Sequence, residues 1–185
     1  MSPNYFDLAI DLPVFKEGLD VRALIKDTDR YNYQNLENFS DLVTDQFKDF
    51  FSQLGLSIFM IELFHLRPYN NTTPHIDISR GDAVKINWVF GGAGSTMSWY
   101  SELPWSKSKD KLSDADTNII VFEHKHVRLI DRYELRGPTV VQTGIPHNIT
   151  TAKEDRYCIN VSVTEGVGRP TMSRAREIFS GKIRS

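Results

Sequence analysis

The sequence predicts a mainly β fold with flanking α: a jelly-roll core, at about residues 56–165, supported by N-terminal helices in residues 1–55. Two observations carry this prediction. After Gly55 the chain breaks into short runs rich in β-branched and aromatic residues, separated by Gly, Pro, Asn and Asp. Their number is near eight, which suits a jelly roll. Before Gly55, Phe39, Leu42, Val43, Phe47, Phe50, Phe51 and Leu54 recur at helical spacing. At 185 residues the chain fits one domain, 1–185, long enough to bury a core.

In chain order, residues 6–14 read as a strand and 16–26 as a short helix. Residues 36–54 read as an amphipathic helix that Gly55 terminates. Residues 56–66 read as a strand ending in the turn cluster Arg67, Pro68, Tyr69, Asn70 and Asn71. Further strands are predicted at 75–80, 83–90, 95–100, 118–122, 127–133, 139–143 and 157–163. Residues 102–117, with Lys107, Lys109, Lys111, Asp110, Asp114 and Asp116, read as a solvated loop, with a mobile lid as the sharper alternative. The tail, 170–185, carries Arg174, Arg176, Lys182 and Arg184 and reads as a short basic surface helix.

Composition narrows the function classes. Hydrophobic residues make up 40% and charged residues 25%, ordinary values for a soluble protein. A formal net charge of −2 gives no basic field for nucleic acid or anionic membrane. The single Cys158 excludes an internal disulfide and a cysteine zinc cage. A reducing, cytoplasmic setting is the expectation, in line with a start that lacks a secretory signal and with the absence of a membrane-length apolar run.

The chemistry begins at His75-Ile76-Asp77. On a strand His75 and Asp77 share one face, and Pro74 favours an extended entry into that strand by biasing Thr73. A distant His147, in Gly144-Ile145-Pro146-His147, sits on a stiff turn. Two imidazoles and a carboxylate on one face of a metal make the facial triad suited to non-heme Fe(II). The plain alternative is a solvent-facing His75, a turn Asp77 and an unrelated loop His147. Nine residues after His147, Arg156 opens a strand with Cys158, Asn160 and Ser162 on its own face and Tyr157, Ile159, Val161 and Val163 on the other. A guanidinium at the inner end of a barrel calls for an anion, and a bidentate carboxylate is the favoured one. An internal ion pair with Glu154 or Asp155 is the structural alternative.

His75-x-Asp77, the distal His147 and Arg156 in Arg-Tyr-Cys-Ile-Asn resemble the 2-oxoglutarate- and Fe(II)-dependent oxygenases, in particular their prolyl-hydroxylase-like branch. The resemblance covers roughly residues 58–163 and implies a double-stranded β-helix. It implies Fe(II) on His75, Asp77 and His147, and 2-oxoglutarate with its far carboxylate on Arg156. The implied reaction is a hydroxylase-type dioxygenase: O2 is consumed, 2-oxoglutarate yields succinate and CO2, and an amino-acid, peptidyl or small-metabolite substrate is oxidised. Asn160 and His65 are further candidates for holding the co-substrate, though a lone histidine such as His65 is more often a satisfied core residue. Arg80 reads as a substrate contact or an external salt bridge. Lys85 and Asn87 share a strand face opposite Trp88. Trp99, Tyr100 and Trp105 frame a substrate or pack the sandwich.

Two other readings compete. His124-Lys125-His126 together with Gly144-x-x-His147 resembles the histidine motifs of cupins, which bind metals in the same barrel class. The glutamate expected four or five residues after His126 is absent, since Ile130 and Asp131 stand there. The third reading is a non-catalytic jelly-roll module holding sugar or peptide through Trp99, Trp105 and the loops.

Overall fold

The computed structural model describes residues 2–25, 31–36, 38–77, 81–112 and 118–184. Among these, twelve strands and two α-helices follow one another as β1 (Tyr5–Asp7), β2 (Tyr31–Asn35), α1 (Asp45–Gln53), β3 (Ser57–Leu66), β4 (His75–Asp77), β5 (Val84–Gly91), β6 (Thr96–Glu102), β7 (Ser108–Leu112), β8 (Asn118–Phe122), β9 (Val127–Tyr133), β10 (Pro138–Gln142), β11 (His147–Thr150), β12 (Arg156–Thr164) and α2 (Met172–Ile178).

The strands form two six-stranded antiparallel sheets, in the orders β1-β10-β5-β12-β3-β2 and β7-β8-β4-β11-β6-β9. From β3 to β6, and again from β10 to β12, successive strands alternate between the sheets. The chain thus winds as a double-stranded β-helix, the predicted class.

Strand alternation decides which side of the first sheet is greasy. On β12 Ile159, Val161 and Val163 face outward. They join Ile61, Leu63, Ile86, Trp88, Phe47 and Phe51 in the main apolar core, between the sheet and α1. The opposite face of β12 carries Arg156, Cys158, Asn160 and Ser162, all buried between the sheets. The core that stabilises the fold therefore lies outside the barrel, which leaves the interior free to be polar. Part of that interior is apolar all the same: Met97, Trp99, Leu135 and Val141 pack together. There Trp99 stacks on Tyr5 and donates Nε1–H to Gln142 O at 2.8 Å, so Trp99 is a packing residue.

Several boundaries differ from expectation. The helix predicted over 36–54 is α only from Asp45, because the Thr44 hydroxyl caps it by accepting from Phe47 N at 3.1 Å. Phe39–Asp41 is a separate 3-10 turn, entered through Asn38 in the left-handed region at φ 58°. The strand predicted over 6–14 is confined to β1, and the helix predicted over 16–26 is a 3-10 turn at Val21–Leu24, its last residue outside the described residues. The predicted loop 102–117 contains β7, an edge strand whose lysines suit an edge that must not recruit another chain. Asp114 and Asp116 lie outside the described residues.

The basic tail is better anchored than a surface helix. Met172, Ala175 and Phe179 are buried in the main core. Arg174 pairs with Glu165 and Glu177, and Arg176 lies over the Phe6 ring. No helix among the described residues is long and apolar enough to cross a membrane.

Candidate metal centre

β4 brings His75 and Asp77 to the barrel interior while Ile76 points the other way, into a cluster with Tyr100, Phe122 and Val127. β11 then lays His147 directly opposite His75 in the antiparallel ladder, with ring centroids 4.6 Å apart. Residues 72 positions apart in sequence thereby become neighbours. The approach depends on Gly144, where a Cβ would fall 1.6 Å from Gly81 O. Only glycine fits there.

The three side chains are oriented before any ion arrives. His75 Nδ1 donates to Thr73 O at 2.8 Å, and His147 Nδ1 donates to Ile145 O at 2.9 Å. Each imidazole so anchored offers the lone pair of Nε2. Asp77 Oδ1 lies 3.5 Å from His75 Nε2 and 3.7 Å from His147 Nε2. Burial, and then the neighbouring His75, pull the pKa of His147 down to about 4, which leaves it neutral at pH 7. Burial alone would raise Asp77; the Lys85 ammonium, first among its neighbours, outweighs it and holds the carboxylate ionised. The ligand atoms of His75, Asp77 and His147 lie within 4.8 Å of one another, and among the described residues this is the group of three that can hold a metal ion. Two neutral imidazole nitrogens and one carboxylate oxygen fit a divalent first-row cation and leave further coordination positions open.

These ligands line a cavity of about 430 Å³ whose floor is the first sheet. Arg156 enters it from the start of β12, with Gly91 opposite in the ladder. A Cβ on Gly92 would sit 2.6 Å from Arg156 Cβ. Arg156 is only 3% exposed, and its side chain bonds to Cys158. Among the described residues no carboxylate lies within 4.0 Å of it, so the expected alternative of a pair with Glu154 or Asp155 is not formed. Asn160 donates Nδ2–H to Asn87 Oδ1 at 2.6 Å, and its own Oδ1, buried at the cavity, has no hydrogen-bond partner.

Sequence reasoning missed one group. Lys85 Nζ lies 2.9 Å from Asp77 Oδ2 and 3.0 Å from Glu62 Oε2, and Tyr33 donates its hydroxyl to Glu62 Oε1 at 3.0 Å. The pattern of β5 places Lys85 and Asn87 on one face, but nothing in the sequence says which acids await them.

Other candidates fall elsewhere. His65 faces the opposite side of β3 from Glu62, Phe64 and Leu66. It stacks on Tyr157 and pairs with Asp155 at 2.8 Å, so it does not reach the cavity. Its placement corrects the reading of His65 as a co-substrate contact: strand alternation puts odd-numbered β3 residues outside. Trp105 is 65% exposed and away from the cavity, and Arg80 lies outside the described residues. His124–His126 is a 3-10 turn between β8 and β9. The alternative metal pattern on His124 and His126 is corrected accordingly, because the ligands that assemble with His147 are His75 and Asp77.

The fold and site define a double-stranded β-helix protein with a His-Asp-His cluster suited to a metal. No family model matches the chain. No curated protein matches it. Similar solved structures include an oxalate decarboxylase of Bacillus subtilis at 10% identity and TM-score 0.37, covering 74% of this chain and 26% of that one. An oxalate oxidase in complex with glycolate is 14% identical at TM-score 0.35, covering 74% of this chain and 55% of the other. The 7S globulin of Momordica charantia is 13% identical at TM-score 0.42, covering 100% and 50%. The chain thus spans from about a quarter to about half the length of these proteins. Two of them are enzymes and one is a globulin, and likeness this distant transfers no chemistry to this chain.

Proposed function

We propose that this chain is an Fe(II)- and 2-oxoglutarate-dependent oxygenase. The observation that carries the proposal is Arg156, a buried cation with no carboxylate partner among the described residues, in the same cavity as the His75-Asp77-His147 cluster. A permanent guanidinium at 3% exposure is costly unless an anion meets it. A dicarboxylate reaching from the cluster to Arg156 meets it, with bidentate geometry at the far end.

Each residue then has a task. His75, Asp77 and His147 hold the cation, the two histidines fixed by their hydrogen bonds to backbone carbonyls. Arg156 binds and orients the co-substrate, and the buried walls exclude water. Bound there, iron supplies the redox chemistry that couples decarboxylation of 2-oxoglutarate, to succinate and CO2, with oxidation of a substrate. The substrate is an amino-acid, peptidyl or small-metabolite molecule entering past the Asn70 to Thr73 rim.

A second reading is a metal-binding jelly-roll protein of the cupin kind, with no 2-oxo acid. The triad alone supports it, and so does Lys85, which already neutralises part of the Asp77 carboxylate. Calorimetric titration with 2-oxoglutarate, in the presence of Mn(II) and without oxygen, separates the two. The oxygenase reading predicts binding in wild type, and at least a tenfold loss of 2-oxoglutarate affinity in Arg156→Met with Mn(II) still bound. Mn(II) binding without any 2-oxoglutarate binding establishes the second reading instead.

A further inference from the structure

Beyond the contact of Lys85 with Asp77, the buried Lys85–Glu62 pair has no task in the chemistry above. Lys85 and Glu62 side chains are 5% and 6% exposed, inside a cavity that already carries Asp77 and Arg156. A lysine at this depth is kept only where acids meet it. Lys85 has two, Glu62 at 3.0 Å and Asp77 at 2.9 Å, and Glu62 is pinned from its other oxygen by Tyr33.

The charges have a simple sum. Glu62 and Asp77 are negative, and Lys85 and Arg156 are positive, so the protein's own buried charges cancel. Lys111, the remaining charged residue on the wall, is exposed on β7, where water and salt screen it. We propose that Lys85 and Glu62 are positioning residues that hold the cavity electroneutral, so that a divalent cation and a dianion stabilise each other's binding and neither is held tightly alone. This inference rests on reading the cavity as a metal and 2-oxoglutarate site. In a low-dielectric cavity one unit of charge at this range changes ion affinity by roughly tenfold or more.

The test uses two variants of opposite sign and two probes, Mn(II) alone and 2-oxoglutarate alone, on the metal-free full chain. Lys85→Met leaves the cavity with a net negative charge. It should bind Mn(II) at least about tenfold more tightly than wild type and 2-oxoglutarate more weakly. Glu62→Gln leaves a net positive charge and touches no metal ligand. It should bind Mn(II) at least about tenfold more weakly and 2-oxoglutarate more tightly. A merely structural pair would shift both variants in the same direction.

Opposed shifts support the proposal; shifts of the same sign, or changes below about twofold, overturn it. Should Lys85→Met fail to fold, Glu62→Gln decides alone by the same two signs. Failure of wild type to bind Mn(II), with or without 2-oxoglutarate, overturns the metal reading itself. Intact Mn(II) binding that ignores the two charges overturns only this inference.

Discussion

At the residue scale, the anchoring of unused atoms is what makes the cluster a candidate ligand set. Each ligand has one atom tied back, to Thr73 O, Ile145 O or Lys85 Nζ, and one atom turned toward the others. A surface histidine pair has no such restraint. Another anchored hydroxyl gives a pH signature away from the site. Tyr133 Oη–H donates to Asp7 Oδ2 at 2.5 Å, linking β9 to β1. That hydrogen bond first, then burial and the Asp7 charge, pushes the tyrosine up to about 12 from its ordinary 10.0. The folded chain therefore keeps a proton that the unfolded chain loses. The stabilisation is whole below pH 10 and disappears as the pH rises through about 12. Tyr133→Phe should lessen the loss of stability across that window, measured by urea unfolding at successive pH values. An identical alkaline decline in variant and wild type would contradict the assignment.

At the element scale, the site depends on β4 and β11 meeting in register. Gly144 sets that meeting, since a methyl group there would overlap Gly81 O at 1.6 Å, and neither backbone can yield cheaply. Gly144→Ala is expected to cost roughly 1–3 kcal/mol of stability. By separating His147 from Asp77 it should also weaken Mn(II) binding by about tenfold or more. Calorimetry and thermal unfolding together check this, and unaltered metal affinity would show that the turn does not set the geometry.

The same scale shows what the sequence could and could not disclose. His75 and Asp77 on one face, and the two-faced β12, follow from strand alternation and were legible. Their partner β11 was legible only as a stiff turn before His147, because four residues, His147–Thr150, give too short a pattern to read as a strand. β7 escaped because its alternating Lys and Asp look like solvent-exposed loop until an edge position explains them. His65 misled because a histidine's face depends on register, which in β3 is fixed by pairing with β12 and β2. The partnership of Lys85 with Glu62 and Asp77 joins three strands, and no local pattern encodes such a meeting.

At the scale of the whole molecule, the double-stranded β-helix separates stability from chemistry. Phe47, Phe51, Trp88 and Phe179 build the core outside the first sheet, where α1 and α2 cover it. The space between the sheets can then hold a lysine, an arginine, two acids, two asparagines and two histidines without undoing the fold. The N-terminal segment and the C-terminal helix serve this division by packing on the sheet, with Leu8 bridging to Ile183.

The central claim is that one metal ion sits on His75, Asp77 and His147, and calorimetric titration of the metal-free chain with Mn(II) tests it most directly. The account predicts one ion per wild-type chain and, in a folded Asp77→Ala variant, an affinity at least about a hundredfold lower, since the only anionic ligand is gone. Equal affinity in wild type and Asp77→Ala would contradict it.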